Sequence, residues 1–189
     1  MNSPLVNREI IQKALSTAMS NGGEWAEVFV EDRQSASTDF DEGRVETMVS
    51  SRDLGAGIRV TVGDATGFAH TSDMSPTGLN EAAQAAAAAA RGGAQIRPVA
   101  LRGAGTADTR AVILPASVPK ARKVEVLQKT DAAARDEDAA ITQVTVRYSE
   151  GRRRVLVANT DGQPILTAKG VADYAVSYTH LTLPTICSV

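Results

Sequence analysis

The first part of the chain carries apolar residues at helical spacing. They form one stripe that consists of Ile10, Ile11, Ala14, Leu15, Ala18 and Met19. Ser3 and Pro4 suit the N-cap and the first helical position, and Asn21-Gly22-Gly23 suits a helix end. The pattern therefore predicts a helix over residues 3–21.

The apolar period then changes to two, which is typical of half-buried strands. In "WAEVFVED" the residues Ala26, Val28 and Val30 share one face. The pattern predicts that "SASTDF" is a hairpin partner or an edge strand and that "RVETMVSS" is another short strand. It also predicts a β-hairpin in "GAGIRVTVGDATGFAHTSD", with its turn at Gly63-Asp64.

A second helix is predicted from Ser75-Pro76 to about Arg91. It contains six consecutive alanines, Ala85 to Ala90, whose small side chains favour a helix that lies close against a sheet. Gly92-Gly93 ends it. Residues 1–92 therefore have the predicted order α-β-β-β-β-α.

Glycine and proline recur within residues 93–116, so this segment is predicted to be a linker or a long surface crossing. A third helix follows from about Pro119 to Asp136, with basic residues at its start and acidic residues at its end. Because these charges oppose the helix dipole, we expect its ends to meet partner charges elsewhere.

The segments "ITQVTVRY", "GRRRVLVAN", "QPILTAKG" and "VADYAV" then predict an antiparallel meander. Arg152, Arg153 and Arg154 are predicted to lie at a hairpin turn within it. The predicted fold class is α+β: an α-β-β-β-β-α N-terminal domain, followed by a helix and the meander of an incomplete second domain.

Composition narrows the possible partners of the protein. The 189 residues carry a net charge of −2, whereas a domain that binds nucleic acid is usually basic. No apolar run is long enough to cross a bilayer, and "MNSPLVNREI" lacks the pattern of a signal peptide. A single cysteine gives no disulfide framework. We therefore expect a cytoplasmic protein without a nucleic-acid or membrane partner.

Metal and nucleophile motifs are missing from the sequence. It contains neither H-E-x-x-H nor C-x-x-C, and its two histidines, His70 and His180, are far apart. His70 lies in a predicted strand, and no G-x-S-x-G supplies a nucleophile for a Ser-His-Asp triad. His70 is therefore interpreted as a surface or half-buried strand residue.

The remaining polar and glycine-rich patterns also have structural interpretations. Gly55-Ala56-Gly57 and Gly103-Ala104-Gly105 do not continue as phosphate loops, and the first suits a bend that starts a strand. Three arginines at residues 152–154 could hold a phosphate, but a solvated turn is favoured. The carboxylates of Glu24, Glu27 and Glu31 form a row without a sign of burial. The sequence patterns thus predict no catalytic, cofactor-binding or metal-binding residue.

Several stretches resemble a known family. "GEWAEVFVED", "DEGRVE", "DLGAGIRVTVGDATGFAHTSD" and the alanine-rich helix resemble, in that order, the N-terminal domain of the TldD/PmbA family. "VEVLQKTDAAARDED", "ITQVTVRY" and "VLVANTDG" resemble the start of its second domain. This resemblance covers residues 5 to about 175 and is closer to the TldD side. It divides the chain into an N-terminal domain (1–92), a linker (93–116) and a truncated central domain (117–176).

The resemblance implies a cytoplasmic zinc metallopeptidase that cleaves peptides and pairs with a PmbA/TldE-like paralogue as a heterodimer or higher oligomer. The family's zinc-binding H-E-x-x-x-H helix would lie downstream of the residues present here, so this chain alone is expected to bind no zinc and to be inactive. Two alternatives stay open. The parent could be the non-catalytic PmbA-like partner, or the chain could be a free-standing interaction module.

The last stretch, "SYTHLTLPTICSV", differs from the rest of the chain because it contains no Arg, Lys, Asp or Glu. It resembles translated sequencing-adapter read-through, so residues 177–189 are predicted to be a non-native tail; a native irregular tail is the alternative. A strand near residue 176 would also leave a sheet edge uncovered, which predicts that the native protein continues. His180 and Cys187 are therefore excluded from any predicted site.

Overall fold

A computed structural model describes residues 5–90, 105–106 and 114–162, and the backbone of residues 165–180. Its helices are α1 (Arg8–Ala18), α2 (Pro76–Ala89) and α3 (Lys120–Glu137). Its strands are β1 (Trp25–Asp41), β2 (Arg44–Val62), β3 (Ala65–Thr71), β4 (Gly105–Thr106), β5 (Ile141–Asn159) and β6 (Ile165–His180). The hydrogen-bonded order of these strands is β3-β2-β1-β5-β6-β4. The predicted α+β class is confirmed.

The chain divides into two compact units. Unit 1 comprises Met1–Arg33, Arg52–Arg110 and Arg153–Lys169, and unit 2 comprises Gln34–Ser51, Ala111–Arg152 and Gly170–Val189. Strands β1, β2 and β5 each contribute a segment to both units. The linear division at residues 92, 116 and 176 stays a prediction.

The core of unit 1 forms where α1 and α2 cover one face of its sheet segments. Alternate strand residues point into this core and are fully buried, as the period-two pattern predicts. They include Ala26, Val28 and Val30 of β1 and Ala56, Ile58 and Val60 of β2. Helix α1 adds Ile11, Ala14 and Leu15 from its predicted stripe, and α2 adds Leu79, Ala83 and Ala86.

Helix α2 lies unusually close to strand β3. A Cβ atom added to Gly67 would lie 2.0 Å from the carbonyl oxygen of Ala86 and 2.9 Å from the Cβ of Ala90. Such a separation leaves no room for any side chain at residue 67 or for larger residues on this side of α2. The alanine run was predicted to let a helix lie against a sheet, and this packing confirms it.

The helix boundaries test the predicted caps. Helix α2 begins after Ser75, whose hydroxyl accepts a hydrogen bond from the amide of Gly78 at 3.1 Å, as predicted. Helix α1 is shorter than predicted: its N-cap is Asn7, whose side chain accepts from the amide of Glu9 at 2.9 Å, so the assignment of Ser3 as N-cap is wrong. A short 3₁₀ turn and Gly22, at φ 84°, end it as predicted.

The strands are longer than predicted because several expected breaks lie inside continuous strands. Strand β1 joins "WAEVFVED" to "SASTDF", and β2 joins "RVETMVSS" to "GAGIRVTV". The region between α1 and α2 thus holds three strands, two of them long, instead of the predicted four short ones. Gly55 does not start a strand at a bend but lies within β2, where a Cβ would be 3.1 Å from the carbonyl oxygen of Thr71. Close approach of β3, rather than a bend, accounts for this glycine.

Strand β5 also continues where a turn was predicted. Gly151 and the three arginines after it lie within β5, so the prediction of a solvated hairpin turn at residues 152–154 is wrong. Carboxylates on β1 pair with two of these arginines and hold their side chains along the sheet. A single glycine could not end the strand against this cross-strand pairing.

Unit 2 has a smaller core of its own beneath α3. Phe40 of β1, Leu127 of α3 and Val144 and Val146 of β5 are fully buried together. Lys123 in the first turns of α3 forms an ion pair with Glu150 of β5 at 2.5 Å. This contact confirms, for the basic end of α3, the prediction of a partner charge outside the helix.

The predicted linker and the predicted C-terminal tail lie mostly outside the residues that the structure describes. Most of the predicted linker and residues 181–189, with Cys187, lie outside the described residues, while the backbone of β6 extends to His180. Of the helices in the described part of the chain, none combines the length and the apolar character needed to cross a bilayer.

We predict that Gly67→Ala lowers the free energy of unfolding by about 1–3 kcal/mol, because the new methyl group would collide with the backbone of α2. Gly151→Ala is the matched control, since its nearest neighbour would be the carbonyl oxygen of Gln34 at 3.7 Å. The control should be neutral or slightly stabilising. Urea unfolding of both variants measures the difference, and equal stability of the two would contradict the packing described for α2.

Candidate functional site

The face of the unit 1 sheet opposite α1 and α2 is the candidate site. Arg59 pairs with Phe68, and Gly57 with His70, across β2 and β3, so their side chains share one face. The neighbouring pairs Ile58–Ala69 and Val60–Gly67 point to the helix side. This open face carries aromatic and charged side chains, which are available to a ligand.

A groove of about 670 Å³ lies on this open face and continues to the ends of β1 and β2 in unit 1. Its walls include Phe29, Phe68 and His70, and its floor includes residues 55–57. The rings of Phe68 and His70 stack with their centroids 6.3 Å apart. Its volume falls within the range of ligand-binding pockets, roughly 300–1,000 Å³.

Charged residues of both signs line one end of the groove: Glu31, Arg33, Arg52 and Asp53. Arg52 is fixed by the carboxylate of Asp32, to which its Nε and Nη2 donate at 2.8 and 3.2 Å. This hydrogen bond and the adjacent negative charge raise the pKa of Arg52. Asp32 is only 3% exposed, and Nη1 of Arg154 lies 4.0 Å from it. Two arginines therefore neutralise a buried carboxylate beside the groove.

Further along the open face, charged and aromatic groups hold neighbouring strands together. Glu31 accepts from Nε of Arg153 at 2.6 Å, and Glu27 forms an ion pair with Arg59 at 3.4 Å. The Arg59 guanidinium also lies 5.1 Å from the ring centroid of Trp25. Two members of the carboxylate row seen in the sequence, Glu27 and Glu31, therefore serve in cross-strand pairing.

His70 lies on β3, in agreement with its interpretation as a strand residue, and is exposed. Among the described residues no group of three or more His, Cys, Asp or Glu could hold a metal ion. The described part of the chain therefore does not fit a zinc site, and no catalytic step through zinc can be derived from it. The groove was not predicted from the sequence, although Phe29 and Phe68 occupy polar-face positions of the alternating pattern.

A second polar cluster lies in unit 2. The hydroxyl of Tyr148 donates to Glu150 at 2.7 Å, and Nζ of Lys123 lies 5.7 Å from the centroid of the Tyr148 ring. Burial, followed by the hydrogen bond and the charge of Glu150, raises the pKa of Tyr148 to about 12. This cluster joins α3 to β5 and forms part of the scaffold.

Comparison with known proteins places the chain in a family. Residues 26–90 match the sequence model described as PmbA/TldA metallopeptidase domain 1. Residues 113–164 match the PmbA/TldA metallopeptidase central domain, so the two matches together cover more than half of the chain in the family's own order. The chain belongs to the TldD/PmbA family. The candidate groove lies on β-strand residues within the first of these two matches.

A curated relative of this TldD/PmbA chain is the metalloprotease TldD homologue of Haemophilus influenzae. It is 30% identical over 142 residues, which cover 74% of this chain and 30% of the relative. The matched region thus spans less than a third of that protein's length.

Solved structures share the fold of the TldD/PmbA chain. A Bacteroides thetaiotaomicron protein, provisionally described as a modulator of DNA gyrase, superposes with a TM-score of 0.72 at 17% identity, over 93% of this chain and 41% of the other. The TldE protein of Thermococcus kodakarensis gives 0.63 at 18% identity, over 92% and 39%. At these identities the likeness shows the fold alone.

We predict that Asp32→Asn destabilises the protein by about 3 kcal/mol, because it removes the buried carboxylate that faces Arg52 and Arg154. Glu31→Gln is the matched control: its pair with Arg153 is more exposed and should contribute about 1 kcal/mol or less. Chemical denaturation of both variants provides the measurement. If Asp32→Asn lowers the free energy of unfolding no more than the control does, the pairing of Asp32 with Arg52 and Arg154 does not stabilise unit 1.

The raised pKa of Tyr148 predicts a loss of stability in alkali. Below pH 10 the tyrosine is protonated in both the folded and the unfolded chain, and its full contribution is present. As pH rises from about 10 to about 12, the unfolded state alone ionises and stability falls. Tyr148→Phe should show a shallower fall in this window when unfolding is measured against pH. Identical slopes for the two proteins would contradict the predicted shift.

Proposed function

We propose that the chain is the N-terminal part of a TldD-like zinc metallopeptidase that cleaves peptides in the cytoplasm. The ordered match of its first and central domains to family models described as metallopeptidase domains supports this proposal. Zinc would be bound by a downstream H-E-x-x-x-H helix, whose glutamate would act as general base for a zinc-bound water. This chain contributes the sheet scaffold, and no residue within it is assigned to catalysis, cofactor binding or metal binding.

A second candidate is the non-catalytic, PmbA-like partner of such an enzyme. The fold agreement with the TldE structure of Thermococcus kodakarensis supports this second candidate, since the TldD-like and the PmbA/TldE-like subunits would share these two domains. In the proposed assembly a TldD-like and a PmbA/TldE-like subunit pair as a heterodimer or higher oligomer. Residues 177–189 are proposed to be foreign to the parent.

Reading the gene beyond codon 176 from its source DNA tests these proposals. We expect the frame to continue past the proposed tail into H-E-x-x-x-H. A long continuation without that motif would overturn the peptidase and support the non-catalytic partner. A frame that stops after Val189 would overturn both and leave the free-standing interaction module.

The 189-residue chain alone should bind no zinc tightly. Titration with zinc, followed by calorimetry and by metal analysis of the dialysed protein, should give less than one tenth of an equivalent at about 1 μM free metal. The full-length parent, prepared in parallel, should retain about one equivalent. Stoichiometric tight binding by the short chain would contradict the assignment of the zinc ligands to the downstream region.

A further inference from the structure

Arg152 is the member of the three-arginine run in β5 that has no carboxylate partner. Arg153 pairs with Glu31 and Arg154 pairs with Asp32. Arg152 is half-buried, its Nε is fully buried without a hydrogen bond, and its guanidinium forms no ion pair within the described part of the chain. Arginine stays charged in proteins and burial of an unpaired charge is costly, so this side chain is suited to an anion that the fold does not supply.

The carboxylate nearest to Arg152 in the sequence of β5 is already neutralised. Glu150 stands two residues earlier, on the same face of the strand. It accepts from the hydroxyl of Tyr148 at 2.7 Å and pairs with Nζ of Lys123 at 2.5 Å. The Lys123 and Glu150 side chains are only 13% and 14% exposed, so their pairing is a fixed part of unit 2. Glu150 therefore compensates the charge of Lys123 and leaves that of Arg152.

The first turn of α3 lies over the same part of β5. Leu127 of α3 shares a buried core with Val146, and Lys123, one turn earlier in the helix, pairs with Glu150, further along the strand. The helix therefore runs antiparallel to β5. Two more strand residues, about 7 Å, and three fewer helix residues, about 4.5 Å, bring Arg152 and the start of α3 to the same level.

The start of α3 offers hydrogen-bond donors without a capping acceptor. Its N-cap, Pro119, provides no side-chain hydrogen bond, and its first turn contains no acidic residue. The first amides of a helix lack an intrahelical acceptor and carry a partial positive charge. Lys120 lies three residues before Lys123 and thus on the same side of the helix; it is exposed and forms no ion pair within the described residues. Helix amides, an ammonium group and a guanidinium are therefore brought together.

The charges of Arg152 and Lys120 indicate a ligand with more than one negative charge. A carboxylate would neutralise one of the two cations, whereas a phosphate monoester carries a charge of about −1.5 to −2 at pH 7. The guanidinium fork and the amides at a helix N-terminus are both donors that suit phosphate oxygens.

We propose that Arg152, Lys120 and the first amides of α3 bind a phosphate group, either as inorganic phosphate or as the monoester of a small molecule. Binding here requires neither zinc nor peptide cleavage, so the inference goes beyond the proposed function. If the parent proves not to be a peptidase, this site is unaffected; if the site fails, the downstream zinc site is unaffected.

The test titrates the uniformly ¹⁵N-labelled 189-residue chain with inorganic phosphate at neutral pH and low salt, and records amide shifts. Shifts should concentrate at Lys120, Ala121 and Arg152, with a Kd of about 1 mM or below. Glycerol 3-phosphate is titrated in parallel, and the tighter of the two ligands identifies the form that the site prefers. Acetate should bind at least about tenfold more weakly than phosphate, because it carries one charge. Absence of shifts at these residues, or equal affinity for acetate, would overturn the proposal.

Two variants with matched controls separate binding at this site from general attraction of anions. Arg152→Gln should weaken phosphate binding about tenfold or more, because it removes a charge-assisted hydrogen bond. Arg153→Gln, the same change at the next residue on the opposite face of β5, should leave the Kd unchanged. Lys120→Gln should also weaken binding, whereas Lys129→Gln, more than two turns later in α3, should have no effect. Amide spectra of each free variant check that it is folded.

Thermal unfolding distinguishes a ligand site from a structural role of Arg152. In phosphate-free buffer Arg152→Gln should be at least as stable as the unchanged protein, because it removes a partly buried charge without a partner. Added phosphate should raise the Tm of the unchanged protein and leave that of the variant where it is. An equal rise in both proteins, or equal Kd values for phosphate, would overturn the assignment of Arg152 to the site.

Discussion

The close contact of α2 with β3 is the constraint on which unit 1 depends. It requires a residue without a side chain at Gly67 and small residues along the helix, and the chain supplies both. This contact fixes α2 on the face of the sheet that α1 also covers, so the alternation of β1, β2 and β3 assigns every second residue to the other face. The groove is therefore a consequence of how α2 packs: most of the side chains that line it belong to the face that the core does not use.

The charged residues of the sheet have two distinct roles, and the degree of burial of each carboxylate determines which role its ion pair has. Asp32 is buried and is neutralised by Arg154, which is largely buried, and by Arg52, which is exposed, so this pairing offsets the cost of burying a carboxylate. Glu31 pairs with Arg153 at a more exposed position, where an ion pair contributes little and serves mainly to fix strand neighbours. Arg52 links the two roles, since the carboxylate that stabilises it also holds it at the rim of the groove.

Local pattern predicted the helices and the core faces well, because they depend on periodicity and on caps such as Ser75. It failed at Gly55 and at Gly151, which were interpreted as breaks, because the cause of strand continuity lies in another strand. Thr71 of β3 approaches Gly55. Glu31 and Asp32 of β1 bind two of the arginines that follow Gly151. These partners are 16 to about 120 residues away in sequence. Pairing at that distance cannot be read from a short window.

The groove was missed for a related reason. Catalytic motifs consist of residue types that carry chemistry, whereas this groove is lined by phenylalanine and glycine at polar-face positions of the strands. Phe68 and Gly57 each violate the strand pattern in the opposite sense, one too apolar for the open face and one too small for a strand. They lie next to each other on neighbouring strands, and the small residue makes room for the large one. Because the ring of Phe68 covers the backbone at Gly57, the two departures explain each other as packing across neighbouring strands.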